Sequence, residues 1–181
     1  MSEALLNILE EQSSMGFTGK INVLLKSNSQ SFAVVLMLDG KIINCLAANK
    51  AGEKALLDLT FRDVSRANEF KIIVEPEVVT EDEGSFTWSV SDLKRKSRKV
   101  YESYLGNQKL KPPMSLKLLI NSTFIIEGAK IDSHEFDVLS TISDYSRVED
   151  IYSNCSLLEY EVTQALVGLR KKGAIKVLAG G

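Results

Sequence analysis

An α+β fold in two parts is predicted by three observations. The first half is strand-rich and carries an Asp39-Gly40 pair, a long basic amphipathic segment follows and ends before Pro112-Pro113, and the last third holds three helix-start signatures. The expected division is a small α/β-strand N-terminal domain with an antiparallel hairpin over residues 1–90, a basic connecting helix and linker over 91–113, and a C-terminal three-helix domain over 114–181.

The elements follow in order. Ser2 is an N-cap candidate for a first helix whose Leu5, Leu6 and Leu9 share a face, and Gly16 closes it. Residues 18–25 alternate as a strand, with Ile21, Val23 and Leu25 opposed to Lys20 and Asn22. Residues 32–38 are apolar on both faces, which predicts a central strand covered on each side. Asp39-Gly40 suits the two positive-φ positions of a type I′ turn, so residues 41–46 should pair back as a hairpin. Ala55, Leu56 and Leu59 have helical spacing in residues 52–61, residues 69–74 return as a strand, and alternating Phe86, Trp88 and Val90 suggest another.

Residues 91–106 form a helix with a stripe of Leu93, Val100, Tyr101, Tyr104 and Leu105, expected to be buried between the two parts. In the last third, Asp132 with Glu135, Ser146 with Glu149 and Ser156 with Glu159 each fit a capping box, so three helices should start there. The last should run to Lys172, turn Val162, Ala165, Leu166 and Leu169 inward, and stop at Gly173. A tight turn at Asn154-Cys155 gives the last two helices helix-turn-helix spacing, and residues 123–127 and 174–178 are expected as flanking strands.

Composition narrows the function. The longest apolar run, residues 32–38, is far short of the ~20 residues a membrane span needs, and no basic stretch precedes an apolar one at the start, so neither a span nor a signal peptide is expected. Cys45 and Cys155, distant in sequence and in apolar surroundings, read as reduced core thiols of a cytoplasmic protein. Charge is uneven: residues 91–130 hold 9 bases and 3 acids, whereas residues 1–90 hold 8 bases and 13 acids. Lys94, Arg95, Lys96, Arg98 and Lys99 lie mostly off the apolar stripe, and they are the candidate residues for gripping an acidic partner.

Catalytic chemistry finds little material. Gly16-Phe-Thr-Gly-Lys20 has the wrong spacing and the wrong flanking elements for a phosphate loop. The one histidine, His134, sits in the first turn of a predicted helix, and neighbouring Ser133 does not face it, so no dyad forms. One His and two distant Cys make no zinc pattern. The expectation is no catalytic residue, no metal and no cofactor.

The order of elements over residues 4–75, with Leu5, Leu6 and Leu9, Thr18-Gly19, Asp39-Gly40-Lys41-Ile42, Gly52-Glu53 and Ala55-Leu56, resembles the PATAN domain, the N-terminal domain of PatA-type bacterial response regulators. The C-terminal third resembles a winged-helix domain, a common companion of PATAN-type domains. Together these resemblances imply a non-enzymatic protein–protein interaction adapter in bacterial signalling, set in the control of motility or surface behaviour, whose partners are signalling or motility proteins. The alternative they imply is a DNA-binding transcriptional regulator using Arg170, Lys171 and Lys172 at the end of the last helix. Against it, the N-terminal end of that helix is Leu157-Leu158-Glu159-Tyr160-Glu161, acidic where phosphate contacts need bases, and the second strand of a wing is expected to be missing.

Overall fold

The strand alternation read from the sequence is realised as one antiparallel sheet. In the computed structural model, which describes residues 4–47, 50–66, 69–126, 128 and 130–178, the chain is α+β. Strands β1 (Gly19–Leu25), β2 (Ser31–Leu38), β3 (Lys41–Ala47), β4 (Lys50–Ala51) and β5 (Phe70–Pro76) lie in the order β4-β3-β2-β1-β5. Asp39 (φ 47°) and Gly40 (φ 74°) make the β2–β3 turn with both central residues left-handed, as the Asp-Gly pair requires. Gly40 is also needed for close approach, since a Cβ there would stand 2.6 Å from the Ser13 carbonyl oxygen.

Helices α1 (Ala4–Ser14), α2 (Gly52–Ser65) and the start of α3 (Val90–Asn107) cover one face of this sheet. Leu5 and Leu9, Leu56 and Leu59, and Leu93 are fully buried there against Ile21, Val23, Val35, Met37, Ile42 and Cys45. The start of α1 is held by a distant side chain: the Leu5 N–H donates to the buried Asp63 carboxylate of α2 at 2.9 Å. Ser2, the cap expected from sequence, lies outside the described residues.

The opposite face of β2 is covered too. Leu36 and Ile43 bury against Val79, with Val34 and Leu38 half-buried beside them. From Val79 the chain turns through Glu81–Glu83 and runs along the outer edge of β3. Ile43, the extra residue of a β-bulge, accepts from the N–H groups of Ser85 (2.9 Å) and Phe86 (3.1 Å), and Ile42 and Trp88 exchange both backbone bonds at 2.9 Å. The strand expected from Phe86, Trp88 and Val90 is thus only a single bridge at Trp88, because Ser89 already caps α3. Its Oγ accepts from the Asp92 N–H at 3.1 Å, while the Asp92 carboxylate receives the Ser89 O–H at 2.7 Å and the Ser89 N–H at 3.3 Å, and those two bonds hold that carboxyl below its usual range.

The chain divides into two units, Met1–Tyr101 and Glu102–Gly181, with the division inside α3. The second unit contains β6 (Lys117–Ile120), α4 (Ser122–Ile126), α5 (Ser133–Asp144), α6 (Val148–Asn154), α7 (Glu159–Lys171) and β7 (Ile175–Leu178). The Asp132–Glu135 capping box forms, with bonds of 2.8 and 2.9 Å, and Val162, Ala165, Leu166 and Leu169 turn inward.

Four expectations need correction here. Of residues 123–127, expected as a strand, 123–126 are helical and 127 lies outside the described residues; the strand comes earlier, at β6, where it pairs antiparallel with β7. No Ser146 box starts α6: the Val148 and Glu149 N–H groups donate instead to the carbonyls of Leu116 (2.9 Å) and Met114 (3.1 Å). Helix α7 begins after Leu158, whose N–H is taken by Glu161 at 2.8 Å, so the cap lies two residues past the expected Ser156. Along α3, Leu93 and Val100 are buried and Tyr101 and Tyr104 half-buried, but Leu105 is 50% exposed.

Two outcomes follow from the first unit. Gly40→Ala should destabilise it by more than about 1 kcal/mol in urea unfolding, since alanine meets both the left-handed backbone and the Ser13 carbonyl. Burial, reinforced by Asp58, pushes the Cys45 thiol from 9.0 up to about 12. Between those values the unfolded chain gives up a proton that the folded chain keeps, so the stability present below pH 9.0 is lost as pH rises toward 12. Urea midpoints measured from neutral to about pH 11 should fall less steeply for Cys45→Ala than for the native chain.

Candidate partner-binding site

The basic run of α3 separates into anchored and open side chains. Lys96 lies over the ring of Trp88, 3.6 Å from its centroid, and its ammonium also reaches Glu53 at 3.4 Å. Lys94 is paired with Glu10 of α1, and Arg95 with Asp92 one turn before it at 2.8 Å. Arg98 and Lys99 are exposed and, among the described residues, make no ion pair. The five residues singled out from sequence therefore differ in kind: Lys96 holds α3 to the first unit, and Arg98 and Lys99 leave their charge unspent.

Arg98 and Lys94 also stand at the rim of a cleft of about 330 Å³ within the first unit. Its apolar lining is Leu6 of α1, Phe61 and Val64 of α2, and Tyr101 of α3, with the Phe61 and Tyr101 rings tilted 46° at 6.4 Å between centroids. A Thr60–Ser97 hydroxyl contact of 3.1 Å ties α2 to α3 at the base. Phe61 and Val64 went unnoticed in the sequence because they lie beside the inward stripe of α2. Their signal was apolar surplus, two large apolar residues spaced i, i+3 on the flank of a helix whose core face was already complete.

A larger cleft, about 470 Å³, lies beside the β2–β3 turn. Asp39 and Glu81 oppose Lys41 in its lining, so it does not offer one sign of charge, and no His or Cys lines it. His134 is exposed in the first turn of α5, as its sequence position suggested. Among the described residues no group of three His, Cys, Asp or Glu side chains could hold a metal ion, and no helix is long and apolar enough to cross a membrane.

The basic end of α7 is partly committed to structure. The Lys172 ammonium reaches the buried Glu135 carboxylate at 2.5 Å and the Lys130 carbonyl at 3.1 Å. Gly168 makes room for that carboxylate, because a Cβ there would lie 2.5 Å from Glu135 Oε1. Arg170 and Lys171 are exposed. At the other end of α7, Glu159 is paired with Lys111, which also lies over the Tyr152 ring at 4.9 Å, and burial pushes the Tyr152 hydroxyl up to about 12.

Set against models of known protein families, curated proteins and solved structures, the chain matches none.

Removing Lys172 strands the buried Glu135 charge, so Lys172→Ala should cost roughly 1–3 kcal/mol in urea unfolding. Arg170→Ala and Lys171→Ala should each stay within about 0.5 kcal/mol of the native chain.

Proposed function

We propose that the protein is a non-enzymatic protein–protein interaction adapter that captures an acidic, apolar segment of a partner. The observation that carries this reading is the cleft of about 330 Å³ whose floor is apolar and aromatic and whose rim is basic. A floor of Leu6, Phe61, Val64 and Tyr101 suits apolar anchors, and Arg98 suits a carboxylate flanking them. Arg98 is well fitted to this role because its planar guanidinium can bind a carboxylate with two parallel bonds and, among the described residues, has no intrachain carboxylate to leave. The resemblance of residues 4–75 to PATAN domains supports a cytoplasmic setting in bacterial signalling, with motility or surface behaviour as the process served.

The DNA-binding reading has no comparable observation in its favour. Lys172 is engaged with Glu135, and the first turn of α7 carries Glu159 and Glu161.

Affinity capture from the native cell with the full chain tests the adapter reading. Arg98→Ala with Lys99→Ala should keep the fold, lower the yield of captured partner, and lower it most at low salt, where charge attraction is least screened. Tyr101→Ala should also lower the yield, but independently of salt. Unchanged partners at unchanged yield for both variants would rule the cleft out.

A further inference from the structure

The two edges of the five-stranded sheet are finished differently. At one end β4 and the segment around Trp88 bond to β3. At the other, β5 is outermost, and among the described residues no strand pairs with its outer side over seven residues. Unpaired strand edges invite pairing with another chain.

We propose that β5 pairs antiparallel with β5 of a second copy of this chain, about a twofold axis at Ile73; this goes beyond the adapter reading and does not rest on it. The direction of the open backbone groups comes first. The Lys26 N–H donates to the Glu69 carbonyl at 2.9 Å, in line with the β1–β5 register. By the alternation of an antiparallel ladder, Lys71, Ile73 and Glu75 then bond toward β1, and Phe70, Ile72, Val74 and Pro76 face outward. Pro76, which has no N–H, therefore stands where its missing donor would have pointed away from the sheet.

The register is selected by side chains and backbone together. Centred on Ile73, Lys71 faces Glu75 of the second copy, Ile72 faces Val74, and the open N–H and C=O groups of Ile72 and Val74 meet one another. Centred on Ile72, Glu69 would face Glu75. Centred on Val74, Ile72 would face Pro76 and lose a bond beside the twofold axis, whereas centring on Ile73 moves Pro76 to the end of the ladder, opposite Phe70; Glu75 would also face Ile73 instead of a lysine. Lys71 is exposed and makes no ion pair among the described residues; Glu75 accepts from Asn22 at 2.6 Å, and Lys20, which stands opposite it on β1, pairs with Glu77 instead, leaving a Glu75 oxygen for a lysine.

Burial points the same way. Ile72 and Val74 lie on the core face opposite Val23 and Ile21, which are 0% exposed, yet Ile72 and Val74 are only half-buried. The core is incomplete along this edge. The same residues of a second copy would cover it, with the helices of both copies on one face of a continuous sheet.

Sedimentation equilibrium of the full chain at about 0.1 mM should give twice the 20.0 kDa mass of one chain. Val74→Pro removes an outward N–H without touching the bonds to β1, and should return the mass to that of one chain. Lys71→Glu and Glu75→Lys should each do the same, and the double exchange should restore the dimer. Ile73→Cys should form an interchain disulfide on mild oxidation, since both native cysteines are buried. A single-chain mass for the native protein, or a dimer indifferent to Val74→Pro and to the charge reversals, would overturn the proposal.

Discussion

Strand β2 is apolar on both faces, and most of the first unit is arranged to keep both of them dry. Val35 and Met37 point into the core under α1, α2 and α3, while Leu36, Val34 and Leu38 point the other way and would meet water if nothing covered them. The segment from Val79 to Trp88 supplies the cover at Leu36 and then wraps the edge of β3 through the carbonyl of the bulged Ile43 and the two-way bond between Ile42 and Trp88. Burying a large aliphatic side chain is worth roughly 1.5–3 kcal/mol, so leaving the second face open would forfeit several such terms.

That wrap also determines where α3 begins. Trp88 is packed in the helix-side core, Ser89 caps the helix one residue later, and Lys96 closes over the indole two turns on. The register of α3 places Leu93 inward, Tyr101 beside Phe61, and Arg98 at the rim of the cleft. The charge left for a partner is what remains after folding has used Lys94, Arg95 and Lys96 in ion pairs. A basic run in sequence thus overstates the basic surface, and only the fold separates the two contributions.

Much of this was legible in the sequence where the signal is local. Asp39-Gly40 specifies its own turn, the Asp132–Glu135 box satisfies its own backbone donors, and the stripe of Val162, Ala165, Leu166 and Leu169 needs only helical periodicity. Signals that depend on distant chain were missed. Residues 123–126 are rich in strand-forming side chains but form a helix, because β7 is paired by residues 117–120 instead. Ser146 is not a cap, because the carbonyls of Met114 and Leu116 already take the N–H groups it would serve. The cleft was only half legible: its basic rim stands out as charge, whereas its floor comes from three helices far apart in sequence.

The central claim is that the cover over the second face of β2 and the sheet beneath it are one cooperative structure. Exchange of the Ser85 and Phe86 amide protons, which are bonded to the Ile43 carbonyl, reports the cover, and exchange of the Val34, Val35 and Leu36 amide protons reports the strand. The most direct test compares the opening free energies from these two probes across a urea series. Agreement between them is the predicted result. Loss of Ser85 and Phe86 protection at lower urea, while the β2 amides stay protected, would contradict the account.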